Sequence, residues 1–304
     1  MNVEPRDKSL GQIDQWYDQT TRAATLGLIV MLALATAKFL GGYWGHSLAL
    51  LSDSLHSLGD AIASAMIVVS LHWSRRPADR EHPYGHSRIE SIAASNIALL
   101  LMVSSGWIVW EAIHTWSVDR ERPHAYALFI AVASVGVNEV LYRYSAAIAN
   151  RTGSQALKAS AWDQRLDVLG SLIVVVGVVV ARFGGERWHA IDHLAALGVA
   201  GIIAWAAGGL YWTSIQELMD RQAPPEVLDQ IRQLALAVPG VAGVDKLRVR
   251  KAGIEYLVDI HIEVPPAMSI AEAHRLGHAV KDHLIAQVVA VKDVLGHVEP
   301  APGV

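Results

Sequence analysis

The sequence contains no cysteine and little charge. Without cysteine, disulfide bridges and thiolate metal ligands are excluded, so any bound metal ion must use histidine, carboxylate or backbone oxygen. Charged residues make up 18% of the 304 residues, whereas soluble domains carry about 25%. The net charge of −4 gives no indication of nucleic-acid binding. Because 52% of the residues are hydrophobic, the composition favours a membrane protein.

Long apolar runs occupy the first two thirds of the chain. A bilayer core of about 30 Å is crossed by a helix of about 20 apolar residues. Runs of that length predict six membrane spans, at residues 23–41, 47–73, 92–113, 125–148, 161–181 and 190–212. An even number of spans places both termini on one side. Arginine and lysine are more frequent in the loops after spans two and four, which favours the cytoplasm for that side.

Two polar segments flank the predicted spans. Residues 1–22 have no apolar core, unlike a cleavable signal peptide, and are expected to form a cytoplasmic segment. Residues 23–213 form the predicted membrane domain. Residues 214–304 have soluble composition, with helical patterns at 225–238 and 269–288 and alternating strand patterns at 246–250, 256–264 and 293–298. This α-β-β-α-β order predicts a small two-layer α+β domain.

Span two and span five carry ionisable residues inside their apolar runs. His56 and Asp60 are four residues apart in span two, and Asp163 and Asp167 have the same spacing in span five. That spacing places each pair on one helix face. A carboxylate in hydrocarbon costs about 2.5–3.5 kcal/mol even on lenient scales, so such residues are functional candidates. Two pairs on facing helices would supply four ligands to a tetrahedral cation, whereas the alternative is a set of helix-packing hydrogen bonds.

Further histidines and carboxylates cluster outside the spans. Asp79, His82 and His86 lie within eight residues of each other in the loop after span two, where they form either a second metal site or a solvated polar loop. In the C-terminal domain, His261 lies in a strand pattern that ends in IHIEV, and nearby helix and strand histidines are expected to converge on it, whereas each of the other histidines taken alone would be a surface residue. In span four, the i, i+4 spacing predicts an ion pair between Glu139 and Arg143.

The chain resembles the cation diffusion facilitators from about residue 23 to residue 299. The segments that carry the resemblance are GHSLALLSDSLHSLGD, RPADREHPYGHSRIE, KASAWDQRLD, LMDRQAPPE and VPGVAGVDKLRVR. The resemblance implies a homodimer in the lipid bilayer, with six transmembrane helices and a cytoplasmic ferredoxin-like domain in each subunit. It also implies a secondary transporter that exchanges a divalent cation for protons, without enzymatic activity and without a cofactor.

The resemblance assigns roles to individual residues. The family's transport site falls on His56, Asp60, Asp163 and Asp167, and its loop site on Asp79, His82 and His86. Its binuclear cytoplasmic site falls on His261, His274, His297 and Glu299. Asp245 stands where that site often has histidine, which departs from the family pattern. Arg88 and Asp220 occupy the positions of a salt bridge between subunits.

The predicted transport ligands indicate which cations the site would prefer. One imidazole and three carboxylates favour harder cations such as Fe²⁺ or Mn²⁺, and Zn²⁺ and Cd²⁺ stay open. The empty transport site would carry three carboxylates and no permanent counter-cation, so it is expected to be partly protonated. Because ligands must lose protons to bind metal, we expect metal and proton fluxes to be coupled. The segments NEVLYRY, AWDQRLD and SDSLHS are similar to the MamB-type branch of magnetosome membranes. The sequence leaves open a bacterial cytoplasmic membrane instead, and also a metal-sensing scaffold that recruits partners without transport.

Overall fold

The computed structural model describes residues 5–44, 48–114, 125–183 and 189–302. Six long helices are followed by a small α/β region. The elements are α1 (Pro5–Trp44), α2 (Leu48–Ser74), α3 (Ile89–His114), α4 (Ala125–Thr152), α5 (Gln155–Phe183), α6 (His189–Leu218), α7 (Pro225–Leu236), β1 (Gly243–Ala252), β2 (Glu255–Val264), α8 (Ile270–Gln287) and β3 (Val291–Pro300). The chain divides into a helical unit of residues 19–215 and a second unit that joins residues 1–18 to residues 216–304.

The helices extend beyond the apolar runs that predicted them. Helix α1 begins at Pro5 rather than at residue 23, and α6 continues to Leu218 rather than ending at residue 212. A run of apolar residues marks only the part of a helix that would lie in the hydrocarbon core of a bilayer, whereas the backbone hydrogen bonds of the helix continue through polar residues. Proline also suits a first helical turn, where its missing N–H is not needed. Within the described ranges, two helical stretches are long and apolar enough to cross a membrane, Gln12–Gly41 and Ile89–His114.

The core of the helical unit is rich in alanine. Ala23, Ala94, Ala98 and Ala156 are among its buried members. Small side chains let helix backbones approach closely, which is how helices associate in a bilayer. Buried hydroxyl groups add hydrogen bonds between helices: Ser105 Oγ of α3 donates to the Ala200 carbonyl of α6 at 2.7 Å.

A tight turn joins α4 to α5 and fixes where α5 begins. Gly153 adopts a positive φ of 74° after the last residue of α4, and its N–H donates to the Ala149 carbonyl at 2.8 Å. Ser154 Oγ then accepts a hydrogen bond from the Leu157 N–H at 3.2 Å, as an N-cap does. The fully buried Glu90 of α3 accepts from the Ala156 N–H at 3.4 Å. These contacts hold the first turn of the helix that carries Asp163.

The second unit contains a three-stranded sheet in the order β1-β2-β3. Strands β1 and β2 are antiparallel, and β2 and β3 are parallel. The order α7-β1-β2-α8-β3 confirms the α-β-β-α-β prediction. Ile231, Val249, Ile260, Val280 and Leu284 form the centre of its core and are fully buried.

The end of α6 explains the aspartate at position 220. Asp220 has a φ of 59°, in the left-handed region that ends many helices, and a short polar side chain tolerates this conformation. The Arg221 N–H donates to the Gln216 carbonyl at 3.0 Å, which closes the helix end. Asp220 Oδ1 also lies 3.8 Å from Arg250 Nε of β1.

We expect Ser269→Ala to destabilise the start of α8 by about 1 kcal/mol. Ser269 Oγ accepts from the Glu272 N–H at 3.3 Å, and the Glu272 carboxylate accepts from the Ser269 N–H at 3.1 Å. The measurement is hydrogen exchange of the amides in the first turn of α8 in the full-length protein. Gln287→Ala, an exposed change at the other end of α8, is the matched control. Equal exchange in the wild type and Ser269→Ala would contradict the prediction.

The same cap gives α8 a pH dependence. Hydrogen bonds from the Ser269 hydroxyl and backbone hold the pKa of Glu272 below its usual range. A lowered folded-state pKa stabilises the fold above the unfolded-state pKa, and this contribution disappears as the pH falls through the folded-state pKa. We therefore expect acidification to lower the protection of the first-turn amides of α8, measured relative to their intrinsic exchange rates at each pH, more in the wild type than in Ser269→Ala.

Candidate metal centres

Helices α2 and α5 bring two of the predicted transport ligands, Asp60 and Asp163, together in the helical unit. The two helices are packed against each other. Asp163 of α5 is buried, with 9% of its surface exposed, and Asp60 of α2 is half-buried. The two carboxyl groups interact electrostatically. A carboxylate pair at one helix contact is a suitable binding place for a divalent cation, because the cation offsets the repulsion between the two negative charges.

The other two predicted transport ligands are placed less completely. Asp167 is half-buried on α5, one helical turn after Asp163. His56 lies on α2, but its side chain is outside the described residues. Assignment of all four residues to one site therefore stays a prediction. Helix α1 approaches this region closely, because a Cβ atom at Gly27 would lie 3.3 Å from Gln164 Nε2, beside Asp163.

A buried lysine, which the sequence analysis missed, lies in the first predicted span. Lys38 of α1 has 7% of its surface exposed, and its Nζ donates to Ser57 Oγ of α2 at 2.8 Å. The expectation of a transport site without a permanent counter-cation did not take this lysine into account. The signal was present in the run LALATAKFLGG, where one lysine interrupts an apolar span.

Glu139 of α4 pairs with two arginines. Arg143 Nε donates to Glu139 Oε1 at 2.7 Å, which confirms the predicted i, i+4 ion pair. Arg165 Nη1 of α5 also donates to Glu139 Oε2, and the Arg165 guanidinium lies 4.9 Å from the centre of the Tyr142 ring. Because Arg165 lies between Asp163 and Asp167 in sequence, this network ties α4 to the turns of α5 that carry these two carboxylates.

The loop after α2 gathers all three of its predicted ligands. Asp79 Oδ1 lies 3.3 Å from His82 Nδ1, and Asp79 Oδ2 lies 3.4 Å from His86 Nε2. One ligand atom from each residue lies within 4.8 Å of the others. The loop closes through Gly85, whose φ is 85° and whose N–H donates to the His82 carbonyl at 3.0 Å. A carboxylate and two imidazoles at this spacing suit Zn²⁺ or a similar divalent ion.

Hydrogen bonds from backbone amides favour the ionised form of the Asp79 carboxyl group. The N–H groups of His82 and Glu81 donate to Asp79 Oδ1 at 2.7 and 2.9 Å. These bonds, led by the one from His82, hold the pKa of Asp79 below its usual value. A carboxylate that is already ionised binds a cation without first losing a proton.

Three of the four predicted cytoplasmic ligands meet on the sheet of the second unit. His261 of β2 and His297 of β3 are register partners, and Glu299 lies two residues after His297 on the same face. His261 Nδ1 lies 3.2 Å from Glu299 Oε2, His297 Nε2 lies 3.9 Å from the same oxygen, and the two imidazole rings are 4.9 Å apart. The parallel pairing of β2 with β3 thus produces the cluster.

His274, the fourth predicted cytoplasmic ligand, is not a member of this three-residue group among the described residues. Its ring on α8 is 4.7 Å from that of His278, one turn away on the same helix. Asp245, at the position that departs from the family pattern, lies 3.5 Å from Lys246 Nζ. The predicted bridge between Arg88 and Asp220 concerns two subunits and stays a prediction.

The family comparisons cover almost the whole chain. Residues 24–219 match the cation efflux transmembrane domain, and residues 223–301 match the cytoplasmic domain of cation efflux proteins.

Similar proteins come from plants and bacteria. The chain is 33% identical to metal tolerance protein C1 of Arabidopsis thaliana, over 91% of this chain and 61% of that protein. It is 30% identical to the manganese efflux system protein MneP of Bacillus subtilis, over 92% of this chain and 95% of that one. It is 33% identical to the magnetosome protein MamB of Paramagnetospirillum magneticum, over 86% and 88%. A solved MamM CTD variant in its manganese form is 28% identical, covers 25% of this chain and 96% of its own, and has a TM-score of 0.25.

These matches fit the two units of the fold. The transmembrane match falls on the six long helices, and the cytoplasmic match falls on α7 to β3. The chain therefore belongs to the cation diffusion facilitator family of cation efflux proteins.

Proposed function

We propose that this protein exports a divalent transition-metal cation across a membrane in exchange for protons. The observation that carries the proposal is the interaction of Asp60 on α2 with Asp163 on α5, inside an apolar helical unit. Carboxylates in such a setting are costly unless they serve a cation or a proton. We assign the transport site to His56, Asp60, Asp163 and Asp167.

The ligand set selects the cation by its hardness. Three carboxylates with one imidazole give an oxygen-rich site, so we propose Fe²⁺ or Zn²⁺ as the cation. Mn²⁺ and Cd²⁺ fit the same donors and are the comparison ions for a test. The coupling to protons follows from competition, because a protonated carboxyl or imidazolium group cannot bind the metal.

The proposed transporter is a homodimer whose subunits each cross the membrane six times. All six long helices would span, with both termini in the cytoplasm, as the loop charges favour. The loop cluster and the cytoplasmic cluster would then face the side from which the cation is taken. We propose either a bacterial cytoplasmic membrane or a magnetosome membrane as the location, since MamB is among the similar proteins.

Metal uptake into proteoliposomes tests the function. Purified protein is reconstituted, a pH gradient is imposed, and the uptake of Fe²⁺, Zn²⁺, Mn²⁺ and Cd²⁺ is followed with dyes for metal and for internal pH. We expect uptake of Fe²⁺ or Zn²⁺ accompanied by proton movement in the opposite direction, and we expect both to stop when a protonophore removes the gradient. Flux that is indifferent to the gradient would rule out antiport. If the protein is folded but carries no metal flux, the transporter proposal is overturned and a metal-sensing scaffold is favoured.

A further inference from the structure

Lys38 occupies a position that a lysine rarely occupies without a function. It lies in the interior of α1, within an apolar run, and has 7% of its surface exposed. An ammonium group in a membrane span is costly and is retained where it faces a site or a charged partner. Its Nζ donates to Ser57 Oγ at 2.8 Å, so the side chain reaches from α1 to α2.

The contact with Ser57 places the ammonium group about one helical turn from Asp60, one of the proposed ligands. Ser57 follows His56 directly and precedes Asp60 by three residues, so Ser57 and Asp60 lie on one face of α2, one turn apart. Asp60 in turn interacts with Asp163 of α5. Three helices therefore meet at this place, and α1 contributes the positive charge.

We propose that Lys38 is the tethered cation of the transport site, balancing its carboxylates when no metal ion is bound and weakening the hold on a metal ion that is. The inference rests on the proposed function. With Asp60, Asp163 and Asp167 ionised, a bound M²⁺ leaves one negative charge, which the ammonium group cancels. In the empty site the same group offsets part of the repulsion among the carboxylates, because like charges at close range are unfavourable. Transport requires binding that is weak enough for release.

The proposed role of Lys38 is electrostatic, so removal of its charge should tighten metal binding and slow metal release. Methionine is similar to lysine in length and helix propensity but carries no charge. We expect Lys38→Met to lower the KM for Zn²⁺ by at least about fivefold, the lower end of typical coupling between two bound groups. We expect kcat to fall as well, because release slows. Lys38→Arg keeps the charge, so its KM should stay within about twofold of the wild type.

Two further variants separate charge from packing. Ser57→Ala removes the hydrogen-bond acceptor but leaves the ammonium group, so we expect a KM change smaller than that of Lys38→Met. Lys158→Met removes a lysine from an exposed position of α5 and is the matched control, expected to leave both constants unchanged. All variants are compared in proteoliposomes at one fixed pH gradient, after thermal unfolding has shown that they are folded.

The results decide the inference and the proposed function separately. A lower KM in Lys38→Met with rescue by Lys38→Arg supports the tethered cation. Unchanged constants in Lys38→Met overturn it, and so does a raised KM, which would mean that Lys38 only holds the ligands in place. If the wild type carries no flux, the proposed function fails. In that case Zn²⁺ titration of the detergent-solubilised protein decides the inference. The relevant signal is the part of the Zn²⁺ binding that is lost in Asp163→Asn. Tighter binding in Lys38→Met supports the inference, and equal or weaker binding overturns it.

Discussion

Replacement of Asp163 by asparagine is expected to reduce metal flux in proteoliposomes by at least about 100-fold. Asparagine keeps the shape of the side chain but removes the negative charge that a divalent cation requires. Even the groups that hold metal ligands in place cost 10–100-fold in affinity or activity when they are changed, so loss of a ligand should cost at least as much. The measurement is the initial rate of Fe²⁺ and Zn²⁺ uptake under an imposed pH gradient.

The matched control for Asp163→Asn is the same change at an exposed position. Asp229 lies exposed on α7 of the second unit, and Asp229→Asn should transport at the wild-type rate. Reduced flux in Asp163→Asn would count only if the protein melts as the wild type does. Wild-type flux in folded Asp163→Asn would show that the site on α2 and α5 has been assigned to the wrong residues.

The second large effect is expected at the cytoplasmic cluster. His261→Ala should weaken metal binding to that cluster by about 10–100-fold, because His261 lies closest to Glu299 and pairs with His297 across the strands. Zn²⁺ titration is performed on full-length protein that also carries Asp163→Asn and Asp79→Asn, so that neither the transport site nor the loop site contributes.

His283→Ala gives the comparison for the cytoplasmic cluster. His283 is a half-buried histidine of α8 outside the group formed by His261, His297 and Glu299. Its replacement removes one imidazole from the same unit and should leave the affinity unchanged. If His261→Ala and His283→Ala bind Zn²⁺ with the same affinity as their parent, the three-residue cluster is not a metal site.

Most elements of this fold follow from local patterns in the sequence. Strand β2 alternates buried and half-buried side chains, which is why YLVDIHIEV predicts it. The loop ligands Asp79, His82 and His86 are near in sequence, so a turn through Gly85 suffices to bring them together. Helix ends are less predictable, because the length of an apolar run indicates how much of the helix suits a bilayer core and not how far its backbone hydrogen bonding extends.

Contacts between distant elements are harder to predict. Strand register places His297 opposite His261, whereas His274 of α8 lies beside His278, so its assignment to the cytoplasmic ligands stays a prediction. Lys38 was missed because a single charge hardly alters the apolar count of a span. Its contact with Ser57 can be recognised only when α1 and α2 are placed side by side. Neither register nor helix packing can be obtained from one sequence pattern alone.

The parallel pairing of β2 with β3 also has a consequence for folding. Parallel neighbours need a crossover, here α8, so His261 and His297 face each other only after α8 has docked and β3 has been added. The unfolded chain does not hold this pair of imidazoles together. A metal ion that binds there would favour the completed unit alone, by about 2.7 kcal/mol at a free concentration 100 times its Kd. Metal supply in the cytoplasm would then set how much of the chain is fully folded.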